Sequence, residues 1–207
     1  MSALEARDLA CSRGGAALFR DVAFGVAPGE WVALRGPNGS GKTTLLRCVA
    51  GLTRADAGEV LWDGRRASEA GSAYRANFVY AGHAAAIKDD LSAVENLRDT
   101  LALRAAPAPA PEEALRDALS QVGLDQRRHL PARRLSAGQR RRIGLARLVL
   151  DRAPLWLLDE PLTALDDDGQ RIFADLLHRH LGRGGLALIA THHDVTPAPA
   201  RELRLGA

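Results

Sequence analysis

The order of apolar and polar positions along the chain predicts alternating strands and helices. Val22, Phe24 and Val26 alternate with smaller or polar residues, which is typical of a half-buried strand. Leu45, Leu46, Val49 and Leu52 recur at helical spacing, which predicts an amphipathic helix. Apolar runs at residues 31–34, 155–158 and 186–190 predict buried strands, and residues 77–83 have the character of a core strand that leads into a loop. We therefore expect an α/β fold.

Near the N-terminus the pattern predicts a small antiparallel sheet. Residues 3–10 and 18–27 have strand character and are separated by a Ser-Arg-Gly-Gly turn at 12–15. Residues 59–64 form a further short apolar stretch that ends in Asp-Gly, and we interpret it as an edge strand. We expect this sheet to pack beside the main α/β core. The residues after Pro197 have weak periodicity and predict nothing definite.

The middle of the chain predicts helices. Ser92 and Glu95 have the spacing of a capping box, which would start a helix. Residues 105–111 alternate Ala and Pro, and alternate prolines exclude a helix. A second amphipathic helix would follow and end at Gly123. We expect one domain over residues 1–207, with a core at about 1–85 and 150–207 and an inserted helical subdomain at about 86–149.

One glycine-rich stretch indicates phosphate binding. It lies between an apolar strand and a helix and matches G-x-x-x-x-G-K-[ST], the P-loop pattern. Its backbone N–H groups would surround phosphate oxygens at the positive end of a helix dipole. Lys42 would reach the β- and γ-phosphates, and the hydroxyl of Thr43 would bind Mg²⁺. The predicted phosphate-binding residues are Gly36, Pro37, Asn38, Gly39, Ser40, Gly41, Lys42, Thr43 and Thr44.

Charged and polar residues follow two of the predicted buried strands. The run at 155–158 ends in Asp159 and Glu160, at the edge where α/β sheets place their chemistry. Asp159 could hold Mg²⁺ through water, and Glu160 could orient or deprotonate an attacking water. The other interpretation is an acidic turn after a strand, and the presence of a P-loop in the same chain favours the catalytic interpretation over it. His192 follows the run at 186–190 and could sense the γ-phosphate.

A second helix start also has the character of an anion site. Ser136 and Gln139 again have capping-box spacing, so backbone amides would gather near Gly138. An ordinary helix cap remains the alternative. The arginines at 140–142 predict a solvated face rather than a nucleic-acid patch.

Composition restricts the partners. The chain has 207 residues, 46% of them hydrophobic, and a net charge of +3. Its basic residues are interspersed with acids, so we do not expect nucleic-acid binding. Cys11 and Cys48 are its two cysteines, which we interpret as buried thiols in a reducing compartment. We find no signal-peptide pattern and no apolar run of the roughly 20 residues that span a bilayer, so we expect a cytoplasmic protein.

Taken in order, these motifs resemble the ATP-binding-cassette ATPase family over nearly the whole chain. The resemblance rests on the P-loop, on residues 135–139, on Asp159 and Glu160, on the Thr-Ala-Leu-Asp loop at 163–166, and on His192. It implies a head-to-tail homodimer with two ATPs at the interface. Each ATP would lie between the P-loop of one subunit and the helix start of the other, where Ser136, Gly138, Gln139 and Asp166 would contribute.

This sequence departs from that family at two positions. His83 replaces the glutamine that usually approaches Mg²⁺ and water, and imidazole can still accept a hydrogen bond or coordinate water. Arg13 stands where an aromatic residue usually stacks on adenine, so base selectivity is open. Neither change removes the phosphate-binding residues.

A narrower resemblance is to the ATP-binding export proteins of cytochrome c biogenesis. It rests on Leu61 and Trp62, on the segment from Tyr80 to Leu97, and on the arginines after residue 139. It implies a peripheral ATPase at the cytoplasmic face of the bacterial inner membrane. An integral membrane subunit would be its partner, and haem would be delivered towards a periplasmic haem chaperone. The alternatives are an ATPase subunit for another substrate, a soluble non-transport cassette ATPase, and a non-hydrolysing regulator.

Overall fold

The computed structural model describes residues 3–82, 86–102 and 110–206. These residues form two compact units. The first contains residues 3–82, 153–161 and 178–206, and the second contains 86–102, 110–152 and 162–177. Residues 162–177, which the sequence analysis places in the core, therefore group with the second unit.

The first unit contains a sheet of four strands, which are β1 (Leu4–Arg13), β2 (Ala16–Val26), β4 (Ala57–Trp62) and β5 (Arg65–Arg66). Their order in the sheet is β2-β1-β4-β5. The pairings are all antiparallel, which confirms the predicted antiparallel sheet. The strand predicted at 59–64 is present as β4, but its predicted edge position is wrong, because the two-residue β5 pairs with its outer side.

A second sheet in this unit has five strands. Four of them are β3 (Trp31–Arg35), β6 (Phe78–Ala81), β7 (Leu155–Asp159) and β8 (Leu186–Ala190). The fifth, β9 (Arg201–Arg204), was not predicted, because its Arg-Glu-Leu-Arg sequence has no apolar run. The order is β6-β7-β8-β3-β9, and all pairings are parallel. Because the strands are parallel, the residues that follow β3, β7 and β8 emerge at one edge.

Apolar side chains from both sheets and from the helix after the P-loop share one core. Leu34, Leu45, Leu157 and Leu188 are fully buried in it. The helices of this unit are α1 (Lys42–Val49) and α2 (Ala67–Arg75), and α2 is interrupted at Gly71, where the backbone is not helical.

The second unit is helical, and its core comes from leucines on three packed helices. Leu97, Leu115 and Leu145 are buried there. The predicted capping box is present, since Ser92 N donates to Glu95 Oε2 at 2.7 Å and Ser92 Oγ accepts from Glu95 N at 3.3 Å. The helices are α3 (Ala93–Ala102), α4 (Glu112–Gln121), α5 (Ala137–Leu150) and α6 (Asp167–Gly182), with single 3₁₀ turns at Asp125–Arg127 and Ala132–Arg134. The last residues of α6 belong to the first unit.

Most of the predicted Ala/Pro hinge, at 103–109, lies outside the described residues. Within the described ranges, no helix combines the length and the apolar character that crossing a bilayer requires.

Candidate functional site

The P-loop follows β3 directly and has the backbone that its glycines predict. Gly36, Gly39 and Gly41 have φ values of 145°, 85° and 97°, which side-chain-bearing residues rarely adopt. A Cβ on Gly36 would also overlap the carbonyl oxygen of Leu205. Glycine is therefore required at this position for two independent reasons. Of the other predicted loop residues, Pro37 and Asn38 are exposed, and Thr44 is half-buried in the first turn of α1.

Lys42 starts α1 and folds back over the loop. Its ammonium donates to the carbonyl oxygens of Gly36 at 2.7 Å and Pro37 at 3.1 Å. Nζ also lies 3.4 Å from Nε2 of His192. With only 8% of the residue exposed, this charge is fixed at the mouth of the loop.

Thr43 and Asp159 place two oxygen ligands together. Thr43 Oγ1 donates to Asp159 Oδ2 at 2.7 Å, and Asp159 is 2% exposed at the end of β7. Hydroxyl and carboxylate oxygens are what Mg²⁺ prefers, so this pair fits the predicted ion. Ser40 Oγ is buried and has no hydrogen-bond partner among the described residues, which leaves a polar group for a phosphate oxygen.

Glu160 occupies an unusual backbone conformation. Its φ is 50°, a left-handed value that costs a non-glycine residue about 1–3 kcal/mol. Its N–H donates to the carbonyl of Ala190 at 2.8 Å, which holds the turn after β7 against β8. The result is that Glu160 Oε1 lies 3.3 Å from Nε2 of His192. The two candidate catalytic side chains are thus neighbours.

The hydroxyl of Tyr80, on β6, lies near enough to Asp159 to be affected by its charge. Burial raises the pKa of its hydroxyl, and the nearby negative charge of Asp159 raises it further. The phenol therefore stays neutral beside the carboxylate. From the sequence, Tyr80 contributed only to the subfamily resemblance and was not predicted at the site.

In the second unit, Ser136 caps α5 with the predicted capping box. Its Oγ accepts from Gln139 N at 3.2 Å, and its own N–H donates to Gln139 Oε1 at 3.0 Å. A Cβ on Gly138 would lie 2.8 Å from the carbonyl oxygen of Ala164, so the helix start approaches the 163–166 loop closely. These residues border a cavity of about 640 Å³ that Asp125, Arg127, Arg142 and Asp166 also line.

Arg142 is not part of a solvated face, and the prediction for it was wrong. It is 8% exposed, and three acceptors within the second unit compensate the burial of its guanidinium. It donates to Asp166 Oδ1 at 2.5 Å, to Asp168 Oδ2 at 3.0 Å and to the carbonyl of Val122 at 3.2 Å. The N–H of Gly169 and the guanidinium of Arg142 lower the pKa of Asp166. Asp166 is therefore anionic and fixed at the cavity.

Arg13 and His83 are the two remaining predicted residues. Arg13 is the last residue of β1 and is exposed. His83 lies outside the described residues, so its predicted role stays a prediction. In contrast, Lys42, Asp159, Glu160 and His192 come together at the carboxyl edge of the parallel sheet.

The ABC transporter family model matches residues 19–163. Over 204 residues the chain is 46% identical to the cytochrome c biogenesis ATP-binding export protein CcmA of Pseudomonas aeruginosa, covering 99% of this chain and all of that protein. It is 48% identical to CcmA of Nitrosomonas europaea over 192 residues, covering 93% and 89% of the two chains. The chain belongs to the ABC transporter family, among its CcmA proteins.

Solved structures agree with this ABC fold. A putative ABC transporter ATP-binding protein from Pyrococcus furiosus superposes with a TM-score of 0.83 at 24% identity, covering 98% of this chain and 96% of that one. An ATP-binding cassette solved as a dimer with ADP and Pi gives 0.81 at 23% identity, covering 98% and 94%. As a member of the ABC family, this chain binds nucleotide and is an ATPase.

Proposed function

We propose that this chain is the ATPase subunit of an ABC transporter complex in c-type cytochrome biogenesis. ATP hydrolysis would be coupled to the export or release of haem towards a periplasmic haem chaperone. The observation that carries this proposal is the 46% identity to a CcmA protein over 99% of the chain. It is supported by the intact cluster of Lys42, Asp159, Glu160 and His192.

Lys42 and the P-loop amides bind the β- and γ-phosphates. The ammonium already lies against the loop carbonyls and is nearly buried, so its charge acts in a low dielectric. Thr43 and Asp159 would hold Mg²⁺, which would neutralise charge on the phosphate oxygens. Ser40 supplies a hydroxyl that has no partner among the described residues.

Glu160 accepts a proton from the attacking water. The water oxygen bonds to the γ-phosphorus, the bond to the bridging oxygen breaks, and the products are ADP and phosphate. The backbone of Glu160 is fixed by its bond to Ala190, so the carboxylate is held in place before the substrate arrives. His192, 3.3 Å from Oε1 of Glu160, orients this carboxylate and contacts the γ-phosphate.

The partners follow from the two halves of the site. The helix start at Ser136, with Gly138, Gln139 and Asp166, faces an ATP held by the P-loop of a second copy, so the active species is a homodimer. The helical subdomain docks on an integral membrane subunit, CcmB-like, at the cytoplasmic face of the bacterial inner membrane. The periplasmic haem chaperone is linked only indirectly through that subunit.

The test replaces Glu160 by Gln as the sole copy in a bacterium that makes c-type cytochromes. Cell proteins are then separated and stained for covalently bound haem. We expect c-type cytochromes to be absent while the variant protein is present at a normal level. In vitro, the purified variant should hydrolyse ATP about 10²–10⁴-fold more slowly, since a general base typically contributes that much.

Glu69→Gln is the matched control, because Glu69 is an exposed glutamate of the same unit and pairs with the exposed Arg66. It should leave haem staining normal. Normal cytochromes with Glu160→Gln and slow hydrolysis would instead indicate a transporter ATPase for another substrate. Unchanged hydrolysis would show that Glu160 is not the base.

A further inference from the structure

Arg35 ends β3 directly before the P-loop, where the preceding strand residues are fully buried. Its carbonyl accepts from Leu205 N at 2.9 Å, which ties it to the segment after β9. Only 15% of its side chain is exposed, although a guanidinium cannot lose its charge in a protein. Burial of such a group requires several acceptors.

Two of the acceptors of Arg35 belong to the residues directly before and after His192. Nη1 of Arg35 donates to the carbonyl oxygen of Thr191 and to that of His193, both at 2.9 Å. One nitrogen therefore holds the carbonyl groups of the two residues that flank His192 in the sequence. The N–H of His193 also donates to Thr191 Oγ1 at 3.0 Å, which closes the same turn.

The remaining nitrogens of the guanidinium anchor it from two directions. Nε donates to Glu202 Oε1 on β9 at 3.1 Å, and Nη2 lies 3.3 Å from Asp194 Oδ1. Arg35 and Arg204 both donate to Glu202 and lower the pKa of its carboxyl, against the opposing effect of desolvation. The Asp194 carboxylate is fully exposed, so that pair contributes little. The two carbonyls and Glu202 fix the orientation of the guanidinium plane of Arg35.

We propose that Arg35 is a positioning residue that holds the His192 loop in the geometry required for ATP hydrolysis. It acts through His192, whose Nε2 lies 3.4 Å from Lys42 Nζ and 3.3 Å from Glu160 Oε1. This inference rests on the proposed hydrolytic role of that cluster. It assigns to the residue before the P-loop a function that the motif itself does not include.

A lysine cannot replace this arginine. An ammonium is a single donor centre and cannot satisfy two carbonyls and a carboxylate in the fixed plane of a guanidinium. Arg35→Lys keeps the positive charge and removes the planar guanidinium with its several donors. Arg204→Lys is the matched control, since Arg204 also donates to Glu202, at 3.2 Å, and is exposed.

The test measures ATP hydrolysis by the full-length chain and its affinity for a fluorescent ATP analogue. For Arg35→Lys and Arg35→Ala we expect kcat to fall about 10–10²-fold, because small displacements of catalytic groups cost that much. Analogue affinity should stay within about twofold, because the P-loop contacts are unchanged. Arg204→Lys should match the wild type.

A double-mutant cycle with His192→Ala separates positioning from general stabilisation. If Arg35 acts through His192, adding Arg35→Ala to His192→Ala should change the residual rate by less than about twofold. An equal fold-loss in both backgrounds would overturn the proposal. So would an unchanged kcat for Arg35→Lys.

A second measurement does not depend on catalysis. The ring ¹⁵N signals of His192 in the labelled protein, assigned with His192→Ala, should shift in Arg35→Lys and not in Arg204→Lys. An unshifted His192 signal in Arg35→Lys would contradict the proposal, whatever the activity of that variant. Both measurements use the purified chain. Normal c-type cytochromes in the haem stain of the Glu160→Gln strain would therefore contradict the proposed cellular role and leave the proposal for Arg35 unaffected.

Discussion

Thr43 Oγ1 and Asp159 Oδ2 are 2.7 Å apart, although the residues are 116 positions apart in the chain. The first residue lies in the first turn of α1, and the second ends β7. The parallel sheet brings them together, because both elements meet at its carboxyl edge. A hydroxyl and a carboxylate at this distance form a preformed pair of oxygen ligands beside the P-loop.

Asp159→Asn should remove Mg²⁺-dependent nucleotide binding and leave the fold intact. The amide oxygen of Asn can still accept from Thr43, but the negative charge that favours the cation is lost. The measurement is titration with a fluorescent ATP analogue, with and without Mg²⁺. We expect the wild type to bind more tightly with the ion and the variant to show no difference. Asp117→Asn, at an exposed position on α4, is the control and should behave as the wild type.

Lys42→Ala should abolish tight ATP binding. The ammonium is the buried cation of the loop, and its removal leaves the carbonyls of Gly36 and Pro37 without their donor. Lys88→Ala is a matched control, because Lys88 is exposed in the second unit and pairs with Asp99. Equilibrium binding of the same analogue checks both. Affinity of Lys42→Ala within about twofold of the wild type would contradict the assigned role.

Much of this architecture could be predicted, because local sequence patterns indicate it. The glycine spacing at 36–43 predicted a loop whose φ values only glycine tolerates well, and the spacing of Ser136 and Gln139 predicted an observed capping box. Buried apolar runs predicted four of the five parallel strands. In each case the signal lies within a few adjacent residues.

What could not be predicted depends on partners distant in the sequence. Arg142 is buried because Asp166 and Asp168 lie beside it, and nothing in the arginine run distinguishes it from its neighbours. Strand β9 is polar, and its pairing with β3 gives no local pattern. Arg35 had one usable signal, a charged residue at the end of a fully apolar strand, but its acceptors lie 156 or more positions away.

The stability of the first unit should fall as the pH rises above 9. Burial in the core, with the neighbouring Cys11 thiol as a further cause, raises the pKa of Cys48 from 9.0 to about 12. Between these values the unfolded thiol releases its proton and the folded thiol keeps it, so increasing pH favours the unfolded state. Below pH 9 this contribution is fully present. Urea unfolding at pH 8 and pH 10.5 measures the change.

Cys48→Ala isolates this contribution. The variant lacks the titrating thiol, so its free energy of unfolding should fall less between the two pH values. As a second readout, alkylation of Cys48 by iodoacetamide at pH 8 should be slow in the folded chain and fast in urea. An equal pH dependence in variant and wild type would show that other groups cause the loss.

Gly185→Ala should destabilise the chain by packing alone. Gly185 precedes β8, and a Cβ there would overlap the imidazole of His180. That ring cannot move easily, because it is 4% exposed and stacks on Trp156 with the ring centroids 3.9 Å apart and the planes 11° from parallel. Its Nε2 also lies 3.2 Å from the carbonyl of Leu186. Inserting a methyl group into such a site typically costs about 1–3 kcal/mol.

Gly182→Ala is the matched comparison, because a Cβ at Gly182 meets nothing within 4 Å and its backbone does not need a left-handed φ. At the end of α6, alanine also loses less backbone entropy on folding than glycine. Chemical denaturation of both variants should therefore give a clear loss for Gly185→Ala and an unchanged or slightly increased stability for Gly182→Ala. Equal stabilities would mean that His180 can leave its stack on Trp156 without cost.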